Sequence, residues 1–389
     1  MPNLPIHQDC CGCTACFSVC AFNAIQMTAD SEGFLYPVVN AENCKECKLC
    51  ERVCPIIKRD STKCQKSYKN LYAGRLKDSK LLHLSSSGGA FYALAKYTIE
   101  SDGVVWGAEY TSDCEVIHGI ASTIEECSKF RGSKYVQSNI VGIYPKIKGI
   151  LKKGQLVLFS GTPCQVAGLK SYLQKEYENL LTVDIVCHAV PSPLLFKEYK
   201  EYVEKKLNKK LIAINMRDKE VREWLEPFSN RFIFENGAEM VDPKGIVGWN
   251  NIFFTRTIDR PSCHRCRFSN LEREGDFTIA DFWDYTNKRP DLRDNRGTSL
   301  VIVNTEKGCL ITDYIRTFFD LYPISEEEAL QRNLKEPTPE GENRAAFWSY
   351  YYKYGFKKAY NKYYVPGLSE LLKKVKTVVK ALLRKLHII

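Results

Sequence analysis

Two cysteine combs of identical spacing open the chain: Cys10, Cys13, Cys16 and Cys20, then, 34 residues later, Cys44, Cys47, Cys50 and Cys54 with Pro55 directly after. Each reads C-x-x-C-x-x-C-x-x-x-C. This run wraps a cubane 4Fe-4S cluster, because three closely spaced thiolates cover one face and a more distant one closes the cage. In two-cluster ferredoxins the fourth cysteine of each run ligates the other cluster. That assigns Cys10, Cys13, Cys16 and Cys54 to one centre, and Cys44, Cys47, Cys50 and Cys20 to the second. Structural zinc fits poorly, since zinc sites generally pair two C-x-x-C units rather than triplets. The first comb departs from the usual run in one place: Ala21 follows Cys20 where proline is usual, which loosens the turn without removing a ligand. A segment folded around two such centres handles electrons one at a time.

The combs use only the first part of a chain of 389 residues, long enough for two or three domains and a large core. The start, Met1-Pro2-Asn3-Leu4-Pro5, has no basic segment followed by an apolar one, and no stretch of about eighteen uncharged apolar residues occurs. A cytoplasmic protein is expected. Seventeen cysteines without an export signal argue for metal or redox chemistry rather than a disulfide framework. The formal charge of +10 counts thiols as neutral. A 4Fe-4S cluster with its four thiolates carries about two negative charges, so cofactor cancels part of the basic excess.

After a polar linker over 58–69, Leu71-Tyr72-Ala73-Gly74 reads as a strand. Ser85-Ser86-Ser87-Gly88-Gly89 then runs into the amphipathic Ala90 to Tyr97, a helix N-terminus whose free amides either cradle an anion or are simply capped. Gly103 to Ala108 reads as a strand, 140–154 as a helix and Leu156 to Phe159 as a buried strand. The turn Ser160-Gly161-Thr162-Pro163-Cys164-Gln165 leads into a helix from Val166 to Leu173, and the strand 180–186 ends in Cys187-His188. Cys164 and Cys187 thus follow the carboxyl ends of strands, where α/β folds place their ligands. Asn236-Gly237 between Arg231–Phe234 and Glu239–Val241 marks a hairpin. Pro261-Ser262-Cys263-His264-Arg265-Cys266 supplies a C-x-x-C, 277–283 and 300–303 read as strands, and 325–343 as a surface connection. No G-x-G-x-x-G and no G-x-x-x-x-G-K-[ST] is present, so a Rossmann nicotinamide site and a P-loop are unsupported.

Cys263 and Cys266 with Cys164 and Cys187 make four candidate ligands, and here the chain resembles the coenzyme F420 hydrogenase/dehydrogenase beta subunits, flavoproteins that pass electrons between a deazaflavin and iron-sulfur centres. The residues that carry the resemblance are Ser87-Gly88-Gly89, Lys134-Tyr135-Val136-Gln137-Ser138, Phe159 to Gln165, Cys187-His188 with Pro191-Ser192-Pro193, and Arg260 to Cys266 with Gly275-Asp276 and Asp281-Phe282-Trp283. They follow the family order across about 70–310. The resemblance implies FAD bound without a Rossmann fingerprint and a third 4Fe-4S cluster on Cys164, Cys187, Cys263 and Cys266. It places Ser86, Ser87, Gly88 and Gly89 at the pyrophosphate, and Gly161, Thr162 and Gln165 along the isoalloxazine edge. Lys134 and Tyr135 join them, with Lys134 placing a positive charge near the reduced flavin or its phosphates. His188 is a candidate proton relay or a hydrogen-bond partner of the cluster, and His188 with Lys134 form the candidate catalytic pair. Ala189 stands where the family usually has glycine after this histidine. Cys11, Cys64, Cys114, Cys127 and Cys309 read as small hydrophobes or incidental thiols, with Cys11 a competitor of Cys10 for the first ligand position.

The expected fold is α+β: a ferredoxin-like N-terminal domain over 1–62, mixed α/β flavin and cluster domains over 70–152 and 153–330, and a connection with a helical tail over 331–389. The tail carries Leu368, Leu371, Leu372, Val375, Val378, Val379, Leu382, Leu383 and Leu386 at the spacing of one helical face and lysines and arginines on the rest. That suits either an anionic membrane surface or packing on the protein body. The expected function is an iron-sulfur flavoprotein oxidoreductase that exchanges electrons with coenzyme F420 or another organic substrate and with an external ferredoxin or redox partner. The alternatives are a ferredoxin-dependent reductase of a sugar or lipid-linked intermediate and a non-catalytic electron-transfer subunit. No nucleic-acid partner is expected, since no reading motif is present.

Overall fold

A computed structural model describes residues 1–60, 68–220, 224, 228–283, 289–292 and 295–366. The expected tail helix, Cys64 and most of the expected linker lie outside the described residues. Among the described residues no helix is long and apolar enough to cross a membrane.

The sequence repeat of the combs is also a structural one. Thr14 and Lys48, at equivalent positions, both take the left-handed conformation, with φ of 61° and 57°, just before the short helices Ala15–Val19 and Leu49–Arg52. A β-branched residue such as threonine adopts that conformation only when its surroundings impose it. Here it turns each comb back on itself ahead of a helix. Between the combs, β1 (Ile25–Ala29) and β2 (Leu35–Val39) form an antiparallel pair. Their turn is held by the Asp30 carboxylate, which accepts from the amides of Glu32 and Phe34 at 3.0 and 2.9 Å.

An eight-stranded sheet organises the rest. It contains β3 (Asn70–Leu76), β4 (Val104–Tyr110), β5 (Val116–Ala121), β6 (Val157–Gly161), β7 (Leu180–Ile185), β11 (Phe277–Asp281), β12 (Ser299–Val303) and β13 (Phe319–Pro323). Its order is β13-β3-β12-β11-β7-β6-β4-β5, so strands from either side of residue 152 share it. The four strands β11, β7, β6 and β4 are mutually parallel, and the flanking pairs are antiparallel. Parallel strands covered on both faces read as continuous apolar runs. In β6, Leu158 packs on one face with the helix Ala90–Glu100, while Val157 and Phe159 pack on the other with the helices Ile143–Lys152 and Pro163–Leu173. That is the two-residue period of a strand.

A separate antiparallel sheet of β8 (Leu211–Asp218), β9 (Ser229–Phe234) and β10 (Glu239–Val241) has the order β10-β9-β8 and includes the expected hairpin, with Gly237 at φ 77°. It shares a core with the helices Pro193–Leu207 and Phe356–Tyr363 through Phe196, Tyr199, Phe232, Trp249 and Tyr360. The stretch expected as a surface connection over 325–343 differs from that reading. Asn333 donates to Thr338 at 2.8 Å and Leu334 is buried, which folds the segment inward against the His188 carbonyl.

The head is bolted to the body by buried polar contacts. Arg344 grips the Glu32 carboxylate with both guanidinium nitrogens, and Arg59 pairs with Glu272 and Glu274 while lying over the Phe268 ring. Two glycines permit close approach: a Cβ on Gly33 would stand 2.3 Å from Leu194 Cβ, and one on Gly168 would stand 2.7 Å from Cys13 Cβ.

Candidate functional site: a large cavity beside gathered thiols

The parallel strands bring their carboxyl ends to one edge of the sheet. β6 turns at Thr162 into the helix Pro163–Leu173, where Thr162 and Gln165 form a capping box and the Thr162 amide donates to Gln165 Oε1 at 2.9 Å. Pro163 takes the first helical position, which needs no amide. Cys164 is thereby fixed in the first helical turn, and Cys187 follows two residues after the end of β7. Cys263 belongs to the single turn Pro261–Arg265, and Cys266 follows it directly. These four cysteines line a small cavity of about 40 Å³. Burial pushes the thiols of Cys187, Cys263 and Cys266 up, and neighbouring thiolates add to it: Cys164 acts on all three, and Cys187 and Cys266 also act on Cys263.

The first comb gathers in the same way. Cys16 is pushed up to about 12 by burial and then by the charges of Cys10 and Cys54. Cys13 is held down by its bond to Cys11 but raised on balance by burial, with Cys16 and Cys54 adding to it. Cys54 lies within electrostatic reach of Cys10, Cys13 and Cys16, and of Cys50 in its own comb, which also acts on Cys16. In the second comb Cys47 lies close enough to Cys50 to raise its thiol further, beyond the larger effect of burial. Cys20 follows the helix Ala15–Val19, which packs on the helix Leu49–Arg52 that carries Cys50. Cys11 packs as a half-buried small hydrophobe, as expected, beside Cys54, Ile56 and Phe268, and its thiol lies near both Cys13 and Cys164, between the first group and the third. Among the described residues no three Cys, His, Asp or Glu side chains stand as around a single ion. A cubane attaches its thiolates to four separate irons and needs no such point.

A larger cavity of about 480 Å³ adjoins the small one, and Thr162, Cys164, Cys187, His188, Ala189 and Val190 line both. Its volume suits a small molecule or cofactor. One wall is polar. It carries Ser86, Ser87 and Gly89 ahead of the helix Ala90–Glu100, together with Arg131 and Lys134. The amides of Ser86, Ser87 and Gly89 meet no acceptor among the described residues. Lys134 Nζ donates to the carbonyls of Arg131 and Gly132 at 3.0 and 3.3 Å. Burial lowers its pKa to about 7, with Glu109 opposing weakly. His118 Nε2 lies 2.9 Å from the Ser160 carbonyl, which only accepts, so Nε2 carries the proton and Nδ1 is left as an acceptor. That Nδ1 is buried and without a partner among the described residues, and burial drives the ring down to about 4. Unpaired amides, an ammonium without its own carboxylate and an orphan acceptor together fit an anionic cofactor that also offers an N–H.

The other wall is aromatic. Tyr135 stacks on Phe253 at 4.8 Å and meets Phe254 at 6.1 Å, and Phe228 joins Phe254 to Trp283. Arg217 lies over Phe228 and Trp283 at 4.2 and 5.4 Å and pairs with Asp281 at the end of β11. Phe254 is left 49% exposed beside this cavity.

Of the expected flavin contacts, Ser86, Ser87, Gly89, Lys134, Tyr135, Gly161, Thr162 and Gln165 all line the cavity. Gly88 does not. A Cβ there would meet the Gly74 carbonyl at 2.2 Å and the Ser299 amide at 2.5 Å, so its smallness serves contact with β3 and β12. The Gln165 amide is engaged by Thr162 and by Ser138 Oγ at 3.0 Å. His188 faces both cavities, and the surrounding protein lowers its pKa against the opposing charge of Asp281. Ala189 has φ 131°, a conformation that favours glycine, so the chain keeps the glycine geometry with a residue that strains it. Two residues of the site had no sequence signal of their own: His118, on a strand that alternation did not reveal, and Arg217.

Residues 154–323 match the family described as the C terminus of the coenzyme F420 hydrogenase/dehydrogenase beta subunit. Residues 9–56 match the 4Fe-4S dicluster domain. No curated protein matches the chain. Among solved structures, the chain is similar to one of the xenon-derivatised F420-reducing nickel-iron hydrogenase complex from Methanosarcina barkeri, at 19% identity and a TM-score of 0.45, over 73% of this chain and 92% of that one.

Proposed function

We propose that this chain, which belongs to the coenzyme F420 hydrogenase/dehydrogenase beta-subunit family and carries a 4Fe-4S dicluster domain, couples two-electron chemistry at FAD to one-electron transfer through three 4Fe-4S clusters. The observation that carries this reading is the shared wall: Cys164, Cys187 and His188 face the cofactor-sized cavity on one side and the four-cysteine cavity on the other. A flavin in the larger cavity supplies the exchange between hydride and single-electron chemistry.

The chain's own residues have defined tasks in this scheme. The Ser86, Ser87 and Gly89 amides bind phosphate at the helix N-terminus, where the peptide dipoles favour an anion. Lys134, poised near neutrality, places a cation that any anionic group in the cavity draws back to its charged form. His118 Nδ1 accepts a hydrogen bond and orients the ring that offers it. His188 holds or moves a proton at the wall between the two cavities. Tyr135, Phe253, Phe254, Phe228 and Trp283 receive the flat face of the organic substrate, coenzyme F420 or another hydride carrier, and exclude water from it.

The test is one anaerobic preparation with iron, sulfide and flavin quantified, followed by bleaching with reduced F420, NADH and reduced ferredoxin. About twelve iron atoms and one FAD are expected; about eight irons remove the third cluster. Clusters without FAD make the chain an electron conduit for a separate enzyme. Cys263→Ala is expected to lose one cluster's iron and leave the N-terminal pair intact.

A further inference from the structure

We propose that Arg260 is a fixed counter-cation shared by two cluster sites, standing between the comb group of Cys10 and Cys13 and the cavity group of Cys164 and Cys263 and raising the reduction potential of both. This rests on the reading that both thiol groups hold clusters.

Arg260 is among the largest side chains enclosed in the protein, 1% exposed. Its guanidinium donates from Nε to the Cys10 carbonyl at 2.8 Å, from Nη1 to Gln137 Oε1 at 2.9 Å and from Nη2 to the Leu35 carbonyl at 3.0 Å. It lies 4.2 Å from the Tyr36 ring and 5.4 Å from the Phe34 ring. Every one of these partners is neutral. Two of the other buried arginines, Arg217 and Arg273, each meet a carboxylate. Arg260 meets none among the described residues. An enclosed charge without a counter-charge is strongly unfavourable in a low-dielectric interior. The chain therefore keeps here a cation whose partner is not one of its own side chains.

Two anionic groups stand on either side of it in the proposed holoprotein. Its Nε bond reaches the backbone of Cys10, and the comb folds directly over the guanidinium: a Cβ on Gly12 would stand 2.7 Å from Nη1. Arg260 also lines the small cavity with Cys164 and Cys263. Cys54 of the comb group packs in one cluster with Cys11, Cys164 and Cys266, which shows how closely the two groups approach. Each cluster with its thiolates is anionic, and one electron adds one further negative charge. A positive charge held next to both stabilises the reduced form of each. When an electron crosses, one cluster is oxidised as the other is reduced, no bond or proton moves, and the arginine serves both states without reorganising.

The experiment is a potentiometric titration of the full chain, anaerobic and cluster-loaded, followed by electron paramagnetic resonance, with signals assigned through Cys263→Ser and Cys16→Ser. In Arg260→Gln the reduced fraction at the two flanking clusters is expected to fall at least tenfold at a fixed potential, or 59 mV for a one-electron couple. The Cys44, Cys47 and Cys50 cluster is expected to move less, and Arg260→Lys to recover most of the shift. No shift with iron retained, an equal shift of all three clusters, or a Lys variant as low as the Gln variant overturns the proposal. If Arg260→Gln does not keep its clusters, iron content decides: retention by Lys alone supports the charge, and loss from both variants refutes it. About eight irons in the wild type would instead overturn the underlying reading of the third group.

Discussion

Lys134→Met isolates the electrostatics of the polar wall. In the wild type the Lys134 ammonium rests on two carbonyls and on the Tyr110 ring at 5.5 Å, while Glu109, a carboxylate that favours it, is engaged by Lys129 at 3.1 Å. Burial brings the pKa from 10.5 to about 7. The sign follows from linkage: between pH 7 and 10.5 the unfolded chain binds a proton there that the folded chain has released, so stability rises with pH across that window. At about 1.4 kcal/mol per tenfold change, the gain between pH 7 and pH 9 is about 2 kcal/mol if the site is dry. The side chain is only half-buried because it lines a cavity that admits water, and that solvation reduces the gain to about 1 kcal/mol.

The assay compares wild type with Lys134→Met by urea titration at pH 7, 8 and 9 on matched anaerobic, flavin-free preparations. Every other titrating group is common to both, so the difference between the two curves isolates Lys134. The variant is expected to be the more stable at pH 7 and to lose about 1 kcal/mol of that advantage toward pH 9. FAD affinity should move the opposite way, falling in the variant, because the ammonium that is unfavourable in the empty cavity is matched by phosphate in the filled one. Parallel stability curves from pH 7 to 9 would refute the claim that this lysine is held near neutrality, whatever happened to flavin binding.

Gly168→Ala reverses an ordinary preference. Alanine in a helix interior is worth about 1 kcal/mol over glycine, yet here its Cβ would stand 2.7 Å from both Cys13 Cβ and the Tyr144 hydroxyl, so the variant is expected to lose iron from the first comb, and unchanged iron with a raised melting temperature would contradict this. Asp184→Asn leaves Arg273 enclosed without its carboxylate, which it meets at 2.6 Å where both side chains are almost fully buried, and the expected loss is about 3–5 kcal/mol in a denaturant titration. A loss below about 1 kcal/mol would mean that the amides of Glu274 and Gly275, at 2.9 and 2.7 Å from the Asp184 carboxylate, carry that corner alone.

The parts of the site that were legible in the sequence are those fixed by local rules. The combs have their own spacing, the apolar runs Val157–Phe159 and Leu180–Val183 announce strands, and a cysteine just past a parallel strand lands on the ligand-binding edge whatever the rest of the chain does. What stayed hidden depends on contacts between distant segments. The strand Val116–Ala121 pairs with β4 at the edge of the sheet and is bridged on its other side by Asn139 alone among the described residues, and nothing in Val-Ile-His-Gly-Ile-Ala marks its histidine as a cavity residue until Ser160 comes alongside. Gly88 looked like part of an anion cradle because glycine and serine signal one. Its actual constraint is the Gly74 carbonyl on the neighbouring strand. Residues 331–338 read as surface from their polarity, yet Gln331 donates to the Asp281 carbonyl at 2.6 Å and Thr338 to that of His188. Polar side chains with inward partners carry the same composition as those that face water.

The three thiol groups are not equivalent, and their placement orders the proposed relay. The cavity group abuts the flavin-sized cavity through Cys164 and Cys187, and it meets the first comb through Cys11. The second comb is the outermost: Cys47 is exposed, whereas Cys10 and Cys13 of the first are buried. In the proposed relay, electrons crossing between the cavity and an external protein would pass through the cavity group and the first comb, with the Cys44, Cys47 and Cys50 group at the surface end. A buried cation sits at the junction of cavity group and first comb, where two anionic centres would otherwise repel each other most. Without such a charge, reducing one of them raises the energy of reducing the next, and the wire stalls after a single electron. A two-electron donor delivers a second electron soon after the first, so a relay that serves one has particular use for a fixed positive charge at that step.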